Sequence, residues 1–160
     1  VSQLEMVQKI KAAVDARHSN FLILARTDAR AVEGLDRALE RMAAYVEAGA
    51  DLLFVEAPQT IEELAAIPRR LPGPHICNMV FGGKTPLLPR EELAQMGYGG
   101  ILYANAALQA AMLAMQNVLQ HLKAHGSLTG AESQVISFAD RQALVDFAHY
   151  KELEQRYTGA

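Results

Sequence analysis

Short runs of apolar residues alternate along the chain with longer segments in which apolar residues recur every three or four positions. Runs of the first kind are typical of buried strands, and segments of the second kind are typical of amphipathic helices. The pattern predicts a helix, four strand–helix units and one extra helix, with strands over residues 21–25, 51–56, 75–80 and 100–104. Such alternation predicts a parallel sheet covered by helices, which is an α/β fold.

Capping residues and breakers predict the helix ends. Ser2 and Glu5 form a capping box, in which each side chain bonds a free backbone amide at the other residue, so a helix begins there and runs to about residue 16. Further helices are predicted over residues 35–46, 61–67, 89–96 and 106–125, and a last one over 138–157. The helix over 106–125 is expected to bury an apolar stripe that comprises Leu108, Met112, Met115, Leu119 and Leu122.

Two architectures fit four parallel strands: an open doubly wound sheet, or part of an eight-stranded barrel. No G-x-G-x-x-G motif follows the first strand, so nothing supports a dinucleotide-binding open sheet. A full barrel typically takes about 250 residues. The chain has 160 residues and begins with Val1, so we expect a longer native polypeptide.

Composition narrows the possible partners. The net charge is -3 and no basic block is present, which argues against a nucleic-acid partner. The longest apolar runs fall far short of the roughly 20 residues that a membrane-spanning helix requires. The one cysteine, Cys77, permits no internal disulfide and fits a reducing compartment. We therefore expect a soluble, cytoplasmic protein that binds a small molecule.

Polar side chains at the ends of the predicted strands are the candidates for chemistry, because ligands bind at the carboxyl ends of parallel strands. Arg26 follows a run of five apolar residues, and its planar guanidinium suits a carboxylate or a phosphate. The alternative is a structural ion pair with Asp28 or Glu56. Glu56 itself can be a general base, an indirect metal ligand or simply the partner of Arg26.

The third strand is followed by a second group of polar residues. Asn78 offers an amide, and the Gly82–Gly83 pair exposes backbone N–H groups that can bind a carboxylate or a phosphoryl oxygen. Cys77 lies within an apolar strand, where a thiol is usually inert. His121 and His125 share a helix face but lack an evident third metal ligand, so we expect them to be solvated.

Three motifs at these strand ends resemble the isocitrate lyase and phosphoenolpyruvate mutase superfamily. They are Ile-Leu-Ala-Arg-Thr-Asp-Ala at residues 23–29, Gly-Ala-Asp followed by Phe-Val-Glu-Ala within residues 49–57, and Asn-Met-Val with Gly-Gly-Lys-Thr-Pro within residues 78–86. The resemblance implies a (β/α)₈ TIM-type barrel, of which this chain is similar to the carboxyl-terminal half. Residues 1–130 would then form about four βα units, and residues 131–160 a helical extension that subunits exchange.

The resemblance also implies an activity. It is that of a Mg²⁺-dependent carbon–carbon lyase, which acts on a 2-hydroxy di- or tricarboxylate and yields a pyruvate-type product through an enolate. Arg26 would bind a substrate carboxylate and neutralise the enolate, while Glu56 would contact the metal through water. Asn78, Gly82 and Gly83 would bind the other end of the substrate.

Departures from the family leave other functions open. Phe81 replaces an acidic residue of many relatives, and Gln109 replaces an arginine typical of methylisocitrate lyases, so a smaller dicarboxylate fits at least as well as a tricarboxylate. A phosphonomutase acting on phosphoenolpyruvate or carboxyphosphonate is the alternative within the family. No segment resembles the family's metal-binding aspartates or its loop with the catalytic cysteine. The alternative from another class of function is therefore a non-catalytic half-barrel partner protein. The resemblance also implies a homo-oligomer, either a dimer or a tetramer.

Overall fold

The computed structural model of the chain describes residues 1–158. Its strands are β1 (Leu24–Thr27), β2 (Leu52–Val55), β3 (His75–Asn78) and β4 (Tyr98–Leu102). Its helices are α1 (Gln3–Ala16), α2 (Arg30–Glu33), α3 (Leu35–Glu47), α4 (Ile61–Arg70), α5 (Arg90–Met96), α6 (Ala106–His125), α7 (Phe138–Leu144) and α8 (Phe147–Thr158). A short 3₁₀ turn, Glu132–Gln134, lies between α6 and α7.

The strands of the described chain form one parallel sheet in the order β1-β2-β3-β4. Each strand therefore pairs with the next one along the chain, through a helical connection. A doubly wound sheet reverses its strand order at a switch point. This sheet shows no reversal within residues 1–158, so its topology favours a barrel segment over the open alternative.

Helices α1, α3, α4 and α5 cover one face of the sheet. Ala25, Leu53 and Val55 point to this face and pack with Leu39 and Met42 of α3 in one buried cluster. A second buried cluster on β3, β4 and the neighbouring helices contains Leu64, Cys77, Met79, Leu93 and Tyr98. Burial of each large apolar side chain contributes about 1.5–3 kcal/mol, so this face holds the layers together.

The first strand differs from its prediction. It runs over Leu24–Thr27 rather than residues 21–25, and it is not buried on both faces, because Ala25 and Thr27 are buried whereas Leu24 and Arg26 are exposed. The backbone N–H of Ile23 donates to the Asp51 carboxylate, and pairing with β2 begins at Leu24. Because every residue in the run is apolar, the sequence does not indicate where the strand begins or which side chains face the core.

The helix α4 continues beyond its predicted end at residue 67. Pro68 lies inside the helix and has no N–H to donate to the carbonyl of Leu64. The hydroxyl of Tyr98 donates to that carbonyl instead, at 3.1 Å. A contact from β4 thus satisfies the backbone group that the proline leaves free, which explains why the helix reaches Arg70.

The described chain divides into two compact units, residues 1–106 and 107–160, of which the last two residues lie outside the description. In the second unit the prediction that α6 buries its apolar stripe is wrong, because Leu108, Met112 and Leu119 are all at least 49% exposed. The predicted last helix is also broken: Asp146 adopts φ 50° between α7 and α8. The predicted domains, residues 1–130 and 131–160, stay a prediction.

Long apolar helices are missing from the described part of the chain. None of its helices combines the length and the hydropathy that crossing a lipid bilayer demands.

Cys77 is buried, and burial raises the pKa of its thiol to about 11. At neutral pH this thiol is therefore protonated and a poor nucleophile, as its place in an apolar strand predicts.

Candidate active site

The three predicted site residues Arg26, Glu56 and Asn78 share the face of the sheet opposite to the one that α3, α4 and α5 cover. Arg26 pairs directly with Phe54, and side chains alternate along a strand, so Phe54 and Glu56 lie on the same face as Arg26. The Glu56 N–H donates to the Thr27 carbonyl at 2.9 Å, which continues the strand pairing past β2. Parallel pairing thus brings the first and second polar strand ends together.

The Arg26 guanidinium is held from two sides. Its Nε donates to Oδ2 of Asp28 at 3.0 Å and its Nη2 to Oδ1 at 2.7 Å, a bidentate contact. Its Cζ lies 5.2 Å from the centroid of the Phe54 ring, in cation–π geometry. The hydrogen bond from Arg26 lowers the pKa of Asp28, and the same bond raises the pKa of Arg26. The pair therefore stays ionised throughout the physiological range.

Glu56 faces the same guanidinium less closely. Its Oε2 lies 3.5 Å from Nη2 of Arg26, and this buried oxygen accepts no hydrogen bond from the described residues. A buried carboxylate oxygen without a donor costs free energy. It is therefore poised to accept a hydrogen bond from a bound group, such as a water molecule or a ligand hydroxyl.

Asn78 adds a second acceptor. Leu53 pairs with His75, and three residues further along each strand stand Glu56 and Asn78. Both line a cavity of about 150 Å³, and Oδ1 of Asn78 is likewise buried without a hydrogen bond within residues 1–158. Two unsatisfied acceptors in one cavity suit a ligand that carries donors, or an ordered water.

A tight turn after β3 forms another wall of this cavity. Gly83 N–H donates to the Val80 carbonyl at 3.0 Å, and Gly82 adopts φ 77°, which favours glycine. A Cβ on Gly83 would lie 3.0 Å from the same carbonyl oxygen. Gly83, Lys84 and Thr85 line the cavity, whereas Gly82 shapes the turn without lining it.

A partly buried ion pair joins the loops that carry these residues. Arg30 at the start of α2 donates to both carboxylate oxygens of Glu63, at 2.9 and 2.7 Å. Glu63 also accepts the Gln59 N–H, while the Thr60 hydroxyl accepts the Glu63 N–H. The segment after β1 is thus tied to the segment between β2 and α4, which fixes Arg26 and Glu56 relative to each other.

Comparison with known proteins assigns this arrangement to a family. The sequence profile described as phosphoenolpyruvate phosphomutase matches residues 1–123. This chain belongs to the phosphoenolpyruvate phosphomutase family. Two relatives are 2,3-dimethylmalate lyase of Eubacterium barkeri, 43% identical over 158 residues, and 2-methylisocitrate lyase of Vibrio cholerae, 41% identical over 163 residues. Each alignment covers 98% of this chain, but 55% and 52% of the respective relatives.

Solved structures agree with the family assignment. The trigonal crystal form of 2,3-dimethylmalate lyase, described as a PEP mutase/isocitrate lyase superfamily member, matches with a TM-score of 0.88 and 29% identity over 98% of this chain and 52% of that one. Phosphonopyruvate hydrolase in complex with oxalate and Mg²⁺ matches with a TM-score of 0.85 and 27% identity over 99% of this chain and 57% of that one. The chain spans about half the length of these TIM-barrel enzymes.

The residues of this phosphomutase-family chain fit a metal only indirectly. Among residues 1–158 no three His, Cys, Asp or Glu side chains lie close enough together to hold an ion. His121 and His125 have ring centroids 4.5 Å apart, without such a third ligand. The unsatisfied Oε2 of Glu56 does fit a hydrogen bond from a metal-bound water. The donor set thus suits the indirect role that the sequence implies for Glu56.

Sequence reasoning missed two parts of this site. Asp28 figured only as a structural partner of Arg26, although its spacing of two residues along an extended segment points both side chains to one side. Lys84 and Thr85 line the cavity beside Glu56 and Asn78, and their place in the Gly-Gly-Lys-Thr-Pro motif was the available signal. Their position became evident only from the turn that folds the motif back over β3.

Proposed function

We propose that the native polypeptide carrying this chain is a Mg²⁺-dependent carbon–carbon lyase. Its substrate would be a 2-hydroxy di- or tricarboxylate, similar to 2,3-dimethylmalate or 2-methylisocitrate, and its product a pyruvate-type 2-oxo acid. The hydroxyl loses its proton to a base, the adjacent carbon–carbon bond breaks, and the hydroxyl oxygen becomes the carbonyl of the 2-oxo acid. The bonding electron pair stays on the other fragment as an enolate, which then takes up a proton.

One observation supports this proposal above the others. The Arg26 guanidinium, a fixed cation, lies 3.5 Å from the unsatisfied carboxylate oxygen of Glu56 at the carboxyl end of a parallel sheet. A fixed cation beside a free acceptor suits a substrate that carries both a carboxylate and a hydroxyl. The two lyases compared above are named for 2,3-dimethylmalate and 2-methylisocitrate, which are hydroxy acids with more than one carboxylate.

The chemistry of each side chain indicates its role in this proposed reaction. Arg26 donates to a substrate carboxylate and compensates the negative charge that develops as the bond breaks. Glu56 accepts a hydrogen bond from a water or hydroxyl and so orients it. The Nδ2 group of Asn78 donates to the distal carboxylate, beside the turn that Gly82 and Gly83 form. Mg²⁺, when bound, supplies Lewis-acid stabilisation of the negatively charged oxygen.

Assembly and location belong to the same proposal. We propose a homo-oligomer, dimer or tetramer, in the cytoplasm, with a small carboxylate as its ligand and neither nucleic acid nor membrane as partner. The exposed apolar side chains of the second unit support self-association, among them Phe138, Leu144 and Tyr150, each at least 64% exposed. The net charge of -3 supports the absence of a nucleic-acid partner.

A phosphonomutase acting on phosphoenolpyruvate or carboxyphosphonate is the second candidate. The description of the matching family favours it, since that name is phosphoenolpyruvate phosphomutase. The guanidinium of Arg26 suits a phosphoryl oxygen as well as a carboxylate. Turnover of phosphoenolpyruvate therefore distinguishes the two candidates.

The test uses the complete native polypeptide. It is incubated with 2,3-dimethylmalate, 2-methylisocitrate or phosphoenolpyruvate, and release of a 2-oxo acid or formation of a phosphonate is followed. We expect 2-oxo acid from a hydroxy acid, abolished by excess chelator and restored by Mg²⁺. Product formation in excess chelator would refute the metal-dependent lyase. Phosphonate formation would favour the mutase, and no turnover of any substrate would favour the non-catalytic half-barrel partner.

A further inference from the structure

The contact between Arg26 and Asp28 divides the guanidinium into an occupied edge and a free edge. Asp28 accepts from Nε at 3.0 Å and from Nη2 at 2.7 Å, so one complete edge of the planar group is taken. Neither of these two bonds uses Nη1. A guanidinium has five N–H donors, and both donors on Nη1 thus remain for a ligand.

Two further contacts fix the plane and the direction of the group. The Phe54 ring lies under the guanidinium at 5.2 Å, and Glu56 approaches Nη2 to 3.5 Å. With Asp28 on one edge and an aromatic ring on one face, the long side chain loses the rotamers that it would otherwise sample. An arginine that is fixed before binding loses less entropy when a ligand carboxylate arrives.

The position of Asp28 argues against a role in holding the fold. Its side chain is 64% exposed, and the hydrogen bond that it accepts from the Ala31 N–H uses its backbone carbonyl. A substitution of the side chain leaves that backbone bond in place. An exposed ion pair contributes little to the stability of a protein. The side chain therefore has more effect on Arg26 than on folding.

We propose that Asp28 is a positioning residue, which holds Arg26 by its Nε–Nη2 edge so that Nη1 is presented to a substrate carboxylate. This inference rests on the proposed function insofar as the ligand is a carboxylate. Asp28 does not touch the substrate in this arrangement. It acts by fixing where the donors of Arg26 lie.

The test compares variants of the complete polypeptide. Asp28→Ala and Asp28→Asn remove the charge, Asp28→Glu keeps it, and Asp36→Asn is the matched control. Asp36 also pairs with an arginine at the surface, Arg70, at 2.7 Å, and its side chain is 77% exposed. Each variant is examined for the KM and kcat of the best substrate, for oxalate affinity in the presence of Mg²⁺ by calorimetry, and for thermal unfolding.

We expect Asp28→Ala to raise KM and to weaken oxalate binding, each by about tenfold, which corresponds to about 1.4 kcal/mol. In the same variant the change in kcat should be smaller and thermal unfolding should be unchanged. Asp28→Glu should recover at least half of the lost affinity on a logarithmic scale. The control Asp36→Asn should match the wild type. This split between KM and kcat, with unaltered unfolding, is not expected of a merely structural residue.

Separate results would overturn this inference and the proposed function. Wild-type oxalate affinity in Asp28→Ala refutes the positioning role, and so does wild-type oxalate affinity in an Arg26→Ala protein. A wild-type protein that binds oxalate through Arg26 and Asp28, but turns over no hydroxy acid, refutes the lyase and supports the positioning role. The binding measurement thus decides the inference without any activity.

Discussion

Oxygen Oε2 of Glu56 lies 3.5 Å from Nη2 of Arg26, is buried, and accepts no hydrogen bond from the described residues. The guanidinium donates instead to Asp28, at 2.7 and 3.0 Å. The two acidic residues around this arginine are therefore not equivalent, since Asp28 accepts from the Nε–Nη2 edge of the guanidinium, whereas Glu56 keeps a free acceptor. A site in which every donor and acceptor is already paired leaves no hydrogen bond for a ligand to form.

Replacement of Arg26 by alanine should impair catalysis much more than stability. A charge-assisted hydrogen bond contributes about 1.5–3 kcal/mol, so kcat/KM should fall by about 10- to 150-fold in the complete polypeptide. Steady-state assays with 2,3-dimethylmalate measure the change. Arg70→Ala, which removes another half-exposed arginine paired with an aspartate, is the control and should keep wild-type activity. An Arg26→Ala enzyme with wild-type kcat/KM would show that this arginine only closes the strand end.

Replacement of Glu56 by glutamine should alter the dependence on metal. The side chain keeps its shape but loses the charge that orients a metal-bound water, and such indirect contacts typically contribute about 10- to 100-fold in metal affinity. The Mg²⁺ concentration for half-maximal activity should rise by that factor. Titration of activity with Mg²⁺ measures it, with the exposed Glu40→Gln as control. An unchanged half-saturating concentration would exclude the indirect contact.

Removal of Glu63 should destabilise the loops at the site. Its side chain and that of Arg30 are only 20% and 17% exposed, so alanine leaves several partly buried donors without a partner. We expect the free energy of unfolding to fall by about 1–3 kcal/mol in urea denaturation. The exposed pair of Arg90 and Glu91 provides the control, since Glu91→Ala should leave stability unchanged. Equal stabilities of the two variants would mean that Arg30 and Glu63 do not tie the loops together.

Stability should fall in mildly acidic solution because of His75. Burial lowers the pKa of this imidazole, despite an opposing hydrogen bond between Nε2 and the Leu71 carbonyl at 2.8 Å. The unfolded chain binds a proton as the pH falls below about 6.5, whereas the folded chain does not until its lower pKa is reached. The free energy of unfolding should therefore be lower at pH 5.5 than at pH 7.5.

A non-titrating variant isolates this effect. His75→Gln keeps an N–H donor for Leu71 but binds no proton, so the difference between the two pH values should shrink. His149→Gln removes an exposed imidazole instead and should leave the wild-type difference intact. Urea denaturation at both pH values measures all three proteins. A His75→Gln protein with the full wild-type difference would assign the acid sensitivity to other groups.

The candidate site could be located from the sequence because strand ends are chemically marked. Arg26, Glu56 and Asn78 each interrupt an apolar run, and a parallel sheet brings its carboxyl ends to one edge. The different contacts that Asp28 and Glu56 make with Arg26 could not be predicted in the same way. Asp28 and Glu56 were equivalent partners in the sequence, and only the pairing of β1 with β2 decides which carboxylate reaches the guanidinium closely.

By itself, the sequence determined the alternation of four strands with helices, the α/β class and the membership of the family, because these depend on local periodicity and on contiguous motifs. Tertiary structure alone decided that β1 begins at Leu24 and that a break at Asp146 divides the last helix. It also decided that Leu108 and Met112 stay exposed. The physical reason is that strand register, burial and hydrogen-bond partners depend on residues distant in the chain, and an apolar run looks the same in every register.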